Sequence, residues 1–103
     1  MFKYNLNKLH YSLNEKYSVE VVEKSDKSRG EYIELVIENE GVKCDVIITK
    51  RNLDGNVIKW SYFSNPDNGD FLIERTSTIE TFTKDITDIF ENNRFSTEYL
   101  NKK

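Results

Sequence analysis

Glu31-Tyr32-Ile33-Glu34-Leu35-Val36-Ile37-Glu38-Asn39-Glu40-Gly41-Val42-Lys43-Cys44-Asp45-Val46-Ile47-Ile48 is the stretch whose pattern decides the fold. In its first half Ile33, Leu35 and Ile37 alternate with Glu34, Val36 and Glu38, the period-two signature of a half-buried strand. The second half repeats the pattern with Val42, Cys44, Val46 and Ile48. A two-residue loop at Glu40-Gly41 sets Ile37 opposite Cys44 and Leu35 opposite Val46. Both apolar sets then share one face, which a tight antiparallel hairpin requires. Glu is not favoured at the first loop position, so the matched faces carry the register argument.

The same parity reasoning extends toward the C-terminus. A two-residue loop at Asp54-Gly55 would put Ile58, Trp60 and Tyr62 on the wrong face from Ile48. A three-residue loop, Asp54-Gly55-Asn56, sets Trp60 opposite Lys50 and Tyr62 opposite Ile48, with Gly55 in the left-handed conformation. Asn65-Pro66-Asp67-Asn68-Gly69-Asp70 reads as a turn, and Phe71 to Thr76 as a fifth strand. Ser77-Thr78-Ile79-Glu80 matches a capping box. Ile79, Phe82, Ile86, Ile89 and Phe90 then fall within an arc of about 100°, the stripe of a helix lying on a sheet. Asn92-Asn93 ends that helix, and Phe95, Tyr99 and Leu100 suggest a docked tail.

On the N-terminal side, Tyr17, Val19 and Val21 alternate with Ser18 and Glu20 as the first strand, and Ser25 to Gly30 is a polar turn. Before it, Leu6, Leu9 and Leu13 recur at helical spacing, with Phe2 on the same face. Asn5 is the expected N-cap of a helix over residues 6 to 15. The expectation is one α+β domain over residues 1–103: a five-stranded antiparallel β-meander, order α-β-β-β-β-β-α. Each helix has one apolar stripe, so both belong on the same face of a two-layer sandwich.

Length and composition bound the function classes. At 103 residues the chain has the size of one domain, and a hydrophobic fraction of 37% suffices for one core without disulfide staples. Ala and Gln are absent while Lys, Asn and Ile abound, a bias that resembles translation of an AT-rich genome, such as that of a low-GC bacterium or its phage. A net charge of -3 argues against nonspecific nucleic-acid binding, which needs phosphate neutralisation. The first residues lack the apolar run of a signal peptide, and no apolar stretch is long enough to span a bilayer. The expected compartment is therefore cytoplasmic, with no membrane partner.

Candidate chemistry is sparse. His10 has no nucleophile or orienting acid in its local sequence, so it reads as structural. Cys44 alternates with Val42 and Val46 on the core face, where a thiol behaves as a small hydrophobe. Asp67, Asn68 and Asp70 around Gly69 lack the spacing of a calcium loop and read as an Asx-rich turn. No phosphate-cradling glycine loop or Gly-x-Ser-x-Gly element occurs. No catalytic, metal or cofactor-binding residue is assigned. Trp60 and Tyr62 suit base stacking by type, but they belong to the core face, and a meander differs from the alternating architecture of RNA-recognition domains.

Two surfaces stand out. On the outward face of the sheet, Val22, Tyr32, Val36, Ile47, Val57 and Phe63 lie among Glu20, Glu34, Glu38, Lys43, Asp45, Lys59 and Ser61. Apolar residues with polar rims mark partner or dimer surfaces, and Tyr32, Val36, Ile47 and Phe63 are the candidate interface. On the C-terminal helix, Glu80, Asp85, Asp88 and Glu91 line up around Lys84 as a candidate acidic surface. The functional expectation is a non-catalytic protein–protein interaction module, an inhibitor or immunity-type binder of phage or mobile-element kind, with a protein or a second copy of itself as partner. The alternatives are a small enzyme built from Ser, Thr, Tyr and carboxylates, and a nucleic-acid binder.

Overall fold

The computed structural model describes residues 2–63, 72–92 and 94, with the backbone alone at Phe2. Its elements run α1 (Phe2–Asn14), β1 (Ser18–Asp26), β2 (Gly30–Asn39), β3 (Val42–Thr49), a 3₁₀ turn (Lys50–Asp54), β4 (Val57–Phe63), β5 (Leu72–Thr78) and α2 (Phe82–Glu91). The five strands form one antiparallel sheet in the order β1-β2-β3-β4-β5. This is the expected meander between two helices. The expected turn at residues 65–70 and the docking of Phe95, Tyr99 and Leu100 lie outside the described residues.

The β2–β3 hairpin forms as its alternation requires. Ile37 pairs with Cys44 and Leu35 with Val46. Glu40 and Gly41 both take positive φ, 53° and 83°, the backbone that two-residue hairpin loops of type I′ demand. Matching the buried faces outweighs the local cost of a left-handed Glu.

The β3–β4 connection differs from the expected three-residue loop. Lys50–Asp54 coils into the 3₁₀ turn, and Gly55 sits at φ -127°, not in the left-handed region. Tyr62 pairs with Val46 instead of Ile48. The register has moved by two residues, and a shift of two preserves the face on which every side chain falls. Leu35 and Trp60 accordingly share one core. The longer connection buries Leu53 completely, a gain of about 1.5–3 kcal/mol for a leucine side chain.

Asn5 explains how that connection is held. It is not an N-cap, because α1 begins at Phe2. Asn5 is buried, and its Nδ2 donates to Leu53 O at 2.6 Å and to Gly55 O at 3.1 Å. A side-chain amide thus satisfies backbone carbonyls in an irregular segment, which burial would otherwise leave unpaired.

The expected capping box also gives way. Ser77 and Thr78 belong to β5, and α2 starts only at Phe82. Ser77 lies opposite Ile58 on the core face. Its hydroxyl accepts the Trp60 indole N–H at 2.9 Å and donates to the Asp85 carboxylate. Thr78 and Thr81 instead close the turn between them: the Thr81 N–H donates to Thr78 Oγ1 at 3.1 Å, and the Thr78 N–H to Thr81 Oγ1 at 3.0 Å.

Both helices pack on one face, where Leu9, Leu13, Phe82, Ile86 and Ile89 join the sheet residues Ile33, Leu35, Ile37, Val46, Ile48, Ile58, Trp60 and Tyr62 in one core. Hydroxyl pairs stitch the helix layer: Ser12 to Thr83 at 2.7 Å and Tyr17 to Thr87 at 2.6 Å. Tyr62, fully buried, donates its phenol to Arg94 O at 2.7 Å. Among the described residues, the opposite sheet face carries no helix.

Candidate functional site

Strand pairing places the outward residues in rows across the uncovered face. Lys24, Tyr32 and Thr49 form one row. Val22, Glu34, Ile47, Ser61 and Glu74 form the central row, spanning all five strands. Glu20, Val36 and Asp45 form the next, and Phe63 lies opposite Leu72 at the end of β4. Of the candidate interface residues, Ile47 is central and 8% exposed, while Tyr32, Val36 and Phe63 are half-buried. Apolar and charged side chains alternate on this face as a mosaic.

Charges of both signs stand at each of its two ends. Around Tyr32 lie cations: Arg29 is 5.3 Å from the ring centroid and pairs with Asp26 at 2.7 Å, and Lys24 reaches Glu34 at 2.5 Å. Lys59, exposed on β4, forms no ion pair among the described residues. Around Val36 lie Glu20, Glu38 and Asp45, with Lys43 directly opposite Glu38. Asp45 is half-buried, and its Oδ1 is buried without a hydrogen-bond partner. Desolvation, and then the charge of Glu34, push its carboxyl above the usual aspartate range. Lys24 is held above the ordinary lysine value by its hydrogen bond and charge pairing with Glu34.

Beside Ile47 the sheet opens. The β3–β4 ladder consists of Val46–Tyr62 and Ile47–Ser61, and beyond it β3 diverges into the 3₁₀ turn. The gap forms an open groove of about 640 Å³ whose lining includes Thr49, Asn52, Lys59, Ser61, Glu74 and Thr76. Thr49 Oγ1 is buried there without a partner. Among the described residues, no hydrogen bond joins these groups into a nucleophile–base pair.

The second candidate surface is dispersed. Glu80 lies in the turn before α2, and the Asp85 carboxylate turns inward to Ser77. Asp88 is engaged by Arg94 at 3.0 Å and by Asn92 Nδ2 at 2.6 Å. Glu91 is exposed at the helix end. Lys84, expected at the centre, forms no ion pair among the described residues.

His10 is half-buried on α1. Cys44 is fully buried, and burial pushes its thiol far up, away from the nucleophilic thiolate. Among the described residues no three His, Cys, Asp or Glu side chains are placed to hold a metal, and no helix is long and apolar enough to cross a membrane.

Sequence reasoning assigned Asn5 to a cap instead of to the Leu53 and Gly55 carbonyls, and missed the Trp60–Ser77–Asp85 link and the groove. The inward parity of Ser77 was a usable signal, had the fifth strand been run two residues further. Comparison with known proteins adds no identification: no family model matches the chain, and no curated protein or solved structure matches it.

Proposed function

We propose that the protein is a non-catalytic interaction module that docks through the uncovered face of its sheet. The observation carrying this reading is Asp45: a half-buried carboxylate with an unpartnered oxygen, paired with Val36 on a face that carries no helix among the described residues. An unpaired buried charge is costly until a counter-charge arrives. A protein surface that offers a lysine or arginine to Asp45 and apolar contacts to Tyr32, Val36, Ile47 and Phe63 meets both needs. Large aromatic residues dominate the energy of such contacts, and charged rims orient them.

The test is a Tyr32→Ala, Phe63→Ala double substitution, with folding checked by circular dichroism. Association measured by pull-down and by analytical ultracentrifugation is expected to fall at least about tenfold. Unchanged association, whether with itself or with a captured protein, would remove this face from consideration.

A further inference from the structure

We infer that the partner is a second copy of this chain, docked face to face about a two-fold axis that passes over the Ile47–Ser61 pair. This inference rests on the interaction reading above and names its occupant. The argument is geometric. Ile47 and Ser61 are directly paired on antiparallel strands. Two residues back along β3 lies Asp45, and two residues back along β4 lies Lys59. Because the strands run in opposite directions, these side chains stand on the same face but on opposite sides of the pair.

A two-fold axis lying in the plane between two such faces, and crossing that pair, exchanges the two positions. Asp45 of each copy then meets Lys59 of the other, and Ile47 packs near the axis against its own counterpart. The rotation thus joins two groups that lack such a match in the isolated chain: Asp45 has an oxygen without a partner, and Lys59 has no ion pair among the described residues. The same rotation carries Glu20 of one copy toward the Lys24 side of the other, where Lys24 and Arg29 already hold Glu34 and Asp26. The self-complementarity rests on the Asp45–Lys59 exchange, which the symmetry makes twice. From strand spacing and rise, five strands present about 600 Å², so two copies remove about 1,200 Å² from water, enough for a specific association.

The experiment is a charge-reversal cycle read by sedimentation across a concentration series at low salt. The wild type is expected to dimerise and to dissociate in about 0.5 M NaCl, where exposed ion pairs are screened. Lys59→Glu and Asp45→Lys are each expected to weaken the dimer at least about tenfold, because each places like charges together twice. Mixing the two variants restores a one-to-one heterodimer, since every crossing pair is then opposite in sign. Asp45→Asn keeps the side chain's shape and serves where Asp45→Lys fails to fold; it too weakens the dimer. A monomeric wild type at every concentration overturns the inference, as does a dimer indifferent to both positions. A monomer that still captures a protein through Tyr32 and Phe63 overturns self-association while leaving the interaction reading intact.

Discussion

Ser77 receives the Trp60 indole and donates to Asp85, so removing its hydroxyl strands two polar groups at once. Ser77→Ala is expected to cost about 1–3 kcal/mol, the penalty for unsatisfied buried groups, measured by urea denaturation with Trp60 fluorescence as the probe. Asp45 acts in the opposite sense. Its folded carboxyl is raised above the unfolded value by burial and by Glu34. The folded chain therefore holds that proton more tightly, and stability present at low pH is lost as pH rises through the folded value. In the monomer, at high salt, Asp45→Asn is expected to be more stable than wild type at pH 7, with the gain vanishing below the ordinary aspartate range. Denaturant midpoints at a series of pH values check this. The core role of Cys44 was readable from its alternation with Val46 and Ile48. The role of Ser77 was not, because a hydroxyl three residues before a Glu is the same pattern whether it caps a helix or ends a buried strand.

Among the elements, the hairpins were legible to different depths. At β2–β3, strand alternation on both sides and a glycine in the loop left one register consistent with burial, and Ile37 pairs with Cys44 as read. At β3–β4, parity excludes loops that change the face but not those that differ by two residues. The choice among those fell to Leu53 and Asn5, which meet only in three dimensions. The outward rows followed from the same alternation, so Tyr32, Val36, Ile47 and Phe63 were placed correctly on one face. The acidic residues of α2 were not, because the helix starts later than the capping pattern implied and Asp85 points inward. The β2–β3 loop supports a stabilising change. Glu40 holds φ 53° ahead of a glycine at 83°, and Asn tolerates that region far better than Glu. Glu40→Asn is expected to raise stability by about 0.5–1 kcal/mol with the denaturant slope unchanged.

For the whole molecule, the two-pair junction between β3 and β4 divides the sheet into a well-laddered part, β1 to β3, and the β4–β5 hairpin with α2 behind it. Short-range closure is entropically cheap, and each part can form its own pairs early. Joining them requires the N-terminal segment to find the C-terminal helix, through contacts such as Tyr17 to Thr87 that span 70 residues of chain. The expected consequence is a polarised folding nucleus. Ile37→Val, in the early hairpin, is expected to slow refolding in proportion to its destabilisation of about 1 kcal/mol. Tyr17→Phe, which cuts a late link, leaves the refolding rate unchanged and accelerates unfolding. Stopped-flow chevrons of the two variants separate these outcomes, and a slow refolding limb for Tyr17→Phe would place helix docking before the rate-limiting barrier instead of after it.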